Sequence, residues 1–386
     1  MAGVTDPAFR GLCARYGSGL FVSEMVMARG VVEANAGTLA LCARTLDLAG
    51  RGSWPLHSTV QLSGTDPVLM GRAVEILVGE HGVDHVDLNM GCPVPKVTRR
   101  GGGAALPWKS ARFAAVVSAA VRAAELTSGG RVGVSVKMRL GIDAAHLTVH
   151  DAARAAEDAG VRWIAIHGRT AAQRYDGAAD WRPIAEVVAA VSVPVLGNGD
   201  VWSAHDAVQM MAETGCAGVV VGRACLGRPW LFAELDAQLR TGDASAGAQV
   251  LPRRGGVVIP TTVGQVLDVV REHLEVHVAH DVGRGGSELH AVTRFRKHLG
   301  WYLDRLPIPP ELLARLATVA DQAQVNRHLD EIRALVGAGT EQVDLPVRPK
   351  RSAVVPGAPA VLPAGWLDSR DGGWWGADDT VGGSGG

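Results

Sequence analysis

The stretch Val83-Asp-His-Val-Asp-Leu-Asn-Met-Gly-Cys-Pro-Val-Pro-Lys96 passes from an apolar run into a rigid turn within a few residues. Its first half is typical of a short buried strand. The chain then breaks at Gly91, and two prolines stiffen the turn that carries Cys92. A thiol on a turn at the end of a strand is a candidate catalytic group. Because free cysteine is also often a buried packing residue, the stretch alone leaves catalysis and packing open.

Short apolar runs alternate with helix-period segments over residues 1–239, which predicts parallel βα units. The predicted strands are Leu20–Val22, Ser58–Leu62, Val83–Leu88, Val132–Lys137, Trp163–His167, Val193–Leu196 and Gly218–Val221. The predicted helices cover 6–16, 66–80, 110–125, 148–159, 181–190, 203–213 and 230–239. Seven strands are one fewer than a (β/α)8 barrel needs. We therefore predict an α/β TIM barrel in which one strand is missing or truncated.

The remaining third of the chain divides into three parts by composition. Residues 240–263 have the glycine and polar content of a linker or surface insertion. Residues 264–336 show helical periodicity and predict a small helical domain whose last helix spans about 310–336. The tail 337–386 is rich in glycine, proline and aspartate, which predicts disorder.

Composition limits the class of protein. A hydrophobic content of 47% with 20% charged residues in 386 residues is typical of a globular protein with a sizeable core. No apolar run approaches a membrane span, and the first residues lack signal-peptide features, so we expect a cytoplasmic protein. The five cysteines form no CxxC pair, which predicts neither disulfides nor a structural metal. The net charge of −1 does not by itself indicate a nucleic-acid partner, although local basic clusters can exist.

Seven short segments, taken together and in order, resemble the tRNA-dihydrouridine synthases. They are Met1–Asp6, Gln61–Gly64, Asp87–Pro93, Val136–Gly141, His167–Thr170, Gly197–Val201 and Val221–Cys225. The resemblance is clear over 1–239 and looser over 264–336, where the family has a helical RNA-binding domain. In the family, Met-Ala-Gly-Val-Thr follows the first barrel strand. We therefore expect the natural start to lie upstream of Met1, unless another segment fills the gap.

The resemblance implies FMN as cofactor, tRNA as partner, and NADPH or NADH as a diffusible reductant for a monomeric enzyme. In the reaction it implies, FMN N5 gives hydride to uracil C6 and Cys92 gives a proton to C5. The cofactor-binding residues it implies are Met1, Ala2, Gly3, Gln61, Lys137, His167, Asn198, Gly199, Asp200, Gly222 and Arg223. For the uracil it implies Asn89, Arg139 and Tyr175. The basic cluster Arg294, Arg296 and Lys297 is the candidate tRNA contact.

Chemistry supports several of these roles. Lys137 ends a strand and is placed to stabilise the negative charge of a reduced flavin. The Gly197-Asn198-Gly199 and Gly222-Arg223 turns are one βα unit apart, where barrels often bind phosphate. A thiol that is mostly protonated at neutral pH suits a general acid. No GxGxxG opens a helix after a strand, so no resident nicotinamide site is predicted.

Two other functions remain open at this point. An FMN barrel reductase acting on a small pyrimidine, like the dihydroorotate dehydrogenases, explains the flavin residues but not the helical extension. A non-catalytic RNA-binding relative explains the extension but not the intact Cys92, Lys137 and Gln61. Each candidate residue also has a structural alternative, such as a solvated lysine, a capping glutamine or a core histidine.

Overall fold

The computed structural model describes residues 1, 3–45, 56–241, 259–304, 306–336 and 359–370. At its centre is a sheet of seven parallel strands that follow one another in chain order. The strands are β1 (Val22–Met27), β2 (Thr59–Ser63), β3 (His85–Met90), β4 (Gly133–Arg139), β5 (Trp163–His167), β6 (Val195–Asn198) and β7 (Gly218–Val220).

Helices alternate with these strands, as the sequence predicts. They are α1 (Pro7–Tyr16), α2 (Ala28–Val32), α3 (Ala36–Leu41), α4 (Pro67–Gly79), α5 (Pro95–Thr98), α6 (Ser110–Ser128), α7 (Val149–Asp158), α8 (Arg182–Ala190), α9 (Ala204–Thr214) and α10 (Leu231–Thr241). Their starts and stops have local causes. Asp66 caps α4 ahead of Pro67, and a left-handed Gly215 ends α9.

The predicted fold class, a parallel α/β barrel short of one strand and followed by a helical region, is confirmed. All seven strands are present, and six lie within three residues of the predicted bounds. The exception is β1, which begins where the predicted strand ends. Polar Ser23 and Glu24 interrupt its apolar pattern because they face partners inside the protein. In the described part of the chain no strand joins β7 to β1, and residues from both edges pack with Phe9 of α1.

A second core lies in the helical region. It is built from α11 (Val263–Gly283), α12 (Glu288–Leu303), α13 (Pro310–Leu316) and α14 (Gln322–Val336). The predicted single helix over 310–336 is wrong. The chain bends between α13 and α14, where Val319 is buried and the Asp321 carboxylate accepts a hydrogen bond from the Gln324 backbone N–H at 2.7 Å. None of the described helices is long and apolar enough to cross a bilayer.

Helix α1 joins the barrel to the helical region through three buried histidines. Phe9 stacks on His273 with ring centres 5.3 Å apart and lies 5.4 Å from His298. The Asp6 carboxylate, just before α1, lies 2.9 Å from Nδ1 of His277. Burial lowers the pKa of His273 to about 3, so this ring is neutral at physiological pH.

The predicted disorder of residues 337–386 is wrong for residues 359–370, which pack against the barrel. Trp366 is 2% exposed and contacts Ala105 and Ile142. Composition misled the prediction because a single buried tryptophan can anchor a segment that is otherwise polar and rich in glycine. The other residues of that tail, and the linker residues 242–258, lie outside the described residues.

Candidate active site

The predicted site residues converge at the carboxyl ends of the strands. Asn89 pairs in register with Lys137, and Arg139 pairs with His167, which pairs in turn with Asn198. Because side chains alternate along a strand, Lys137 and Arg139 face the same side of the sheet. The strand ends of a parallel barrel form one mouth, so these side chains share a single site.

A relay of polar side chains runs from the barrel interior to the Cys92 turn. The Ser135 hydroxyl donates to one carboxylate oxygen of Asp87 at 2.6 Å, and the Gln61 amide donates to the other at 2.7 Å. The Asn89 amide then donates to the Gln61 carbonyl oxygen at 2.8 Å. Because a carboxylate only accepts, Asp87 fixes which way both amides point. Burial raises the pKa of Asp87, against the stabilising hydrogen bonds.

Asn89 ends this relay by holding the Cys92 turn. Its carbonyl oxygen accepts hydrogen bonds from the backbone N–H groups of Gly91 at 3.1 Å and Cys92 at 2.9 Å. Both ends of the amide have protein partners, and its contact with uracil stays a prediction. Cys92 itself is half-buried. Burial raises the pKa of its thiol, which keeps the sulfur protonated at neutral pH.

Lys137 is the cation at the centre of the mouth. Its ammonium group donates to the side-chain oxygen of Asn198 at 2.9 Å, and the Asn198 amide donates to the backbone of Val220 at 2.7 Å. Burial, with a contribution from the nearby Arg139, lowers the pKa of Lys137 to about 8. An anion placed beside it would therefore keep it charged.

Arg139 donates several hydrogen bonds to backbone groups around the mouth, and its contact with uracil stays a prediction. Its side chain is 4% exposed and donates to the backbone oxygens of Gly91, Thr170 and Arg174 at 3.0, 2.9 and 2.8 Å. It thereby joins the Cys92 turn to the loop after β5. Tyr175 in that loop is 38% exposed, its ring centre lies 5.6 Å from the guanidinium carbon of Arg139, and its contact with uracil stays a prediction.

Arg223 is held between two aromatic rings. Its guanidinium carbon lies 4.3 Å from the ring centre of Tyr175 and 5.0 Å from that of Trp202. At the preceding Gly222, an added methyl group would meet no atom within 4 Å, so open space borders the backbone there. An open glycine turn beside a stacked arginine suits a phosphate group.

His167 and Gly199 lie against each other on neighbouring strands. A methyl group at Gly199, whose φ is +114°, would lie 2.8 Å from Cδ2 of His167. Burial first, and then the surrounding cations, lower the pKa of His167 well below its usual value. The Asp200 carboxylate accepts from the guanidinium of Arg169 at 2.7 and 2.9 Å and from the backbone of Ala179, and its contact with the cofactor stays a prediction.

The first residues of the chain border the same mouth. The Gly3 backbone N–H donates to the Glu24 carboxylate at 2.7 Å, and the Lys297 ammonium donates to the Gly3 carbonyl oxygen. Met1 packs in the cluster beside α1, and Ala2 lies outside the described residues. Lys297 is therefore the member of the predicted basic cluster that contacts a residue at the mouth.

Arg294 and Arg296 point into the helical region. The Arg294 guanidinium forms an ion pair with Asp281 at 3.1 Å, and Arg296 donates to the backbone oxygen of Val319 at 2.7 Å. Both have internal partners, and their contact with RNA stays a prediction.

Several functional side chains escaped the sequence reasoning. Asp87 and Ser135 are inward-facing polar residues at alternate strand positions, a pattern that marks a polar barrel interior and was available in the sequence. Arg169 and Trp202 carried no such signal, because their contacts depend on loops. In the described part of the chain, no group of three or more potential ligands is arranged to hold a metal ion.

Cations at the end of a parallel barrel, an open glycine turn and a lysine with a lowered pKa define a site suited to a flavin oxidoreductase. A family model described as dihydrouridine synthase (Dus) matches residues 1–337. The chain belongs to this family of flavin-dependent oxidoreductases, and the predicted family membership is confirmed.

Bacterial relatives support the same assignment. The probable tRNA-dihydrouridine synthase of Mycobacterium tuberculosis (strain ATCC 25618 / H37Rv) is 42% identical over 384 residues, covering 96% of this chain and 89% of the relative. The Mycobacterium leprae protein of the same name is 41% identical, covering 96% and 95%. tRNA-dihydrouridine synthase B of Xanthomonas campestris is 38% identical over 303 residues, covering 78% and 81%.

Solved structures that the chain resembles are more distant. Histamine dehydrogenase from Rhizobium sp. 4-9 aligns with a TM-score of 0.47 at 11% identity, covering 88% of this chain and 61% of that structure.

Proposed function

We propose that the protein reduces specific uridines of tRNA to 5,6-dihydrouridine, with FMN as its cofactor and NADPH, or NADH, as the diffusible reductant. The observation that carries this proposal is the position of Cys92. Its protonated thiol sits on a turn fixed by Asn89 and Arg139, and Asn89 is the register partner of Lys137.

The chain's own residues would hold the flavin as follows. Gly222 and Arg223, with Gly199, suit the phosphate, and Lys137 offers positive charge to the ring system. Asn198 and Gln61 are orienting amides, while His167, Met1, Gly3 and Asp200 border the mouth. When bound and reduced, the flavin supplies the hydride that is added to C6 of the uracil.

Cys92 completes the reduction by moving one proton. The Sγ–H bond breaks, the proton is transferred to C5 of the uracil, and solvent returns a proton to the thiolate. The raised pKa of Cys92 favours this role, because the thiol keeps its proton until the uracil ring accepts it. Tyr175 lies at the edge of the mouth, where an aromatic ring can stack on the pyrimidine.

The tRNA must present an extruded base to this mouth, at a cost of a few kcal/mol. Exposed Lys96, Arg99 and Arg100 follow the Cys92 turn, and Lys297 contacts Gly3 at the mouth. Contacts from these cations to phosphates would offset the extrusion cost and set the register of the RNA. We expect a monomer acting in the cytoplasm, where tRNA and reduced nicotinamide are available.

The decisive experiment is a dihydrouridine assay on unmodified tRNA with the purified protein, FMN and NADPH. We expect product from the wild type and a strong loss in Cys92→Ala, while Cys42→Ala, a change at a buried cysteine on the end of α3, serves as the matched control. If the protein binds FMN and oxidises NADPH but produces no dihydrouridine, the RNA substrate is wrong and a small enone is the better candidate.

A further inference from the structure

The C-terminal segment 359–370, which we call the strap, lies along the loop that follows Cys92. We infer that Trp366 in this strap is a positioning residue that sets the place of the Cys92 thiol. The inference rests on the proposed function for its catalytic consequence, but not for its structural one. The strap lies beyond the residues matched by the family model.

Trp366 contacts the side of the loop that faces away from Cys92. Its indole Nε1 donates to the backbone oxygen of Ala105 at 3.1 Å, and the ring is 2% exposed. The indole also lies against Gly101, where a methyl group would come within 2.4 Å of its Cη2 atom. Gly101 has a φ of +74°, so the backbone of the loop is shaped to admit this ring.

The near side of the same loop touches Cys92. The backbone N–H of Ala104 donates to the Cys92 carbonyl oxygen at 3.1 Å. A methyl group at Gly103 would lie 2.5 Å from that oxygen and 3.1 Å from Cβ of Cys92. Residues 101–105 are therefore packed between the catalytic cysteine and the Trp366 indole, and a shift of the indole would reach the thiol through this short segment.

The strap is fixed at both ends of the loop. At the start, the Thr98 hydroxyl donates to the backbone oxygen of Val361 at 2.6 Å. At the end, the Lys109 ammonium donates to the backbone oxygen of Ser369. Arg370 then forms an ion pair with Asp151 of α7 at 2.8 Å and lies 5.0 Å from the ring centre of Trp108. The contacts thus span the loop from Thr98 to Lys109 and join it to a helix of the barrel.

Loss of the indole should affect proton delivery and leave flavin reduction intact. The loop that the strap contacts packs against Cys92, whereas Lys137 and Asn198 lie on β4 and β6 and are hydrogen-bonded to each other. A displacement of about 1 Å at a reacting group can cost on the order of a hundredfold in rate. We therefore expect kcat for dihydrouridine formation to fall more than NADPH-driven flavin reduction.

The test uses the full-length holoenzyme with Trp366→Ala, Trp366→Phe and Thr98→Val. Three quantities are measured: dihydrouridine formation on unmodified tRNA, flavin reduction by NADPH, and the rate at which iodoacetamide alkylates Cys92, followed by peptide mass spectrometry. For Trp366→Ala we expect dihydrouridine formation to fall at least about tenfold, faster alkylation of Cys92, and wild-type flavin reduction. Trp366→Phe should lie between this variant and the wild type.

Leu77→Ala is the matched control, because Leu77 is a fully buried residue of α4 away from the loop. It should lower the melting temperature without changing Cys92 alkylation. If Trp366→Ala does not fold, Thr98→Val removes one strap contact with little change of shape. Wild-type alkylation and dihydrouridine rates in the folded variants would overturn the inference. A wild type that makes no dihydrouridine would count against the proposed function, while the alkylation rates would still test the positioning.

Discussion

Replacing Asn89 with aspartate tests the polar relay beneath the active site without changing its shape. Asn89 donates through its amide to Gln61, whose own amide donates to the Asp87 carboxylate. Asn89→Asp removes the donor that faces Gln61. Gln61 has one donor end, its NH2 group, and one acceptor end, its carbonyl oxygen. It can therefore donate a hydrogen bond to only one of the two carboxylates that flank it.

The size of the effect follows from the contacts. One buried hydrogen bond is lost, worth about 1 kcal/mol, and one acceptor is left without a donor at about 1 to 3 kcal/mol. The alternative is protonation of one carboxyl group, which costs about 4 kcal/mol at pH 7 for a group of ordinary pKa. We therefore expect Asn89→Asp to lower the free energy of unfolding by about 2 to 4 kcal/mol at pH 7.

The loss should depend on pH with a definite sign. In the variant, the folded state binds a proton at the carboxyl pair more tightly than the unfolded state does. The destabilisation is therefore complete at neutral pH and declines as the pH falls towards about 4. Urea unfolding followed by circular dichroism at pH 7 and pH 5 measures this difference.

A double substitution tests whether Asp87 orients these amides. Asn89→Asp combined with Asp87→Asn reverses the relay. The new amide at position 87 would donate to Gln61, and Gln61 would donate to the new carboxylate at position 89, with one carboxylate as before. We expect the double variant to be more stable than Asn89→Asp at pH 7. Equal stability of the single variant and the wild type, or no recovery in the double variant, would show that Asp87 does not orient these amides.

Three further predictions concern the cysteine, the lysine and the buried histidines. Cys92→Ala should bind and reduce FMN normally while dihydrouridine formation falls at least about a hundredfold, as measured by separate flavin and tRNA assays. Since burial lowers the pKa of Lys137 to about 8 and a neighbouring anion raises it again, flavin reduction in stopped flow should slow only above about pH 8, and Lys137→Arg, which stays charged, should lack this decline. His273 has a pKa of about 3 when folded, below its usual value, so the folded state binds fewer protons than the unfolded state between those values. The free energy of unfolding should fall by about 2 kcal/mol between pH 7 and pH 5 because of this histidine. Urea titrations of His273→Phe should lack this contribution.

The sequence predicted the barrel well because most of its strands are largely buried and give short, mainly apolar runs between helical segments. It misplaced β1, where Ser23 and Glu24 face into the protein and break that run. It also joined α13 and α14, because the bend at Val319 depends on burial of that residue and not on a proline or glycine. These errors share one cause, which is that tertiary contacts overrule local pattern.

At the site, the sequence located the residues but not all of their contacts. Strand ends and a family resemblance brought Cys92, Lys137 and Asn198 to one mouth, which the structure shows together. Asn89 and Arg139 also hydrogen-bond to protein groups around the Cys92 turn. The sequence does not reveal these partners, because they depend on the three-dimensional fold, and Trp366 is far from the site in sequence.

The distance along the chain between the strap and its loop sets an order of events during synthesis. Trp366 and Ala105 are separated by 261 residues. At translation rates of about 5 to 20 residues per second, the strap follows the loop out of the ribosome by roughly 10 to 50 seconds. A nascent chain therefore exposes its cysteine loop before the indole that packs against it has been made, and the surroundings of the thiol are complete only once the strap has been synthesised.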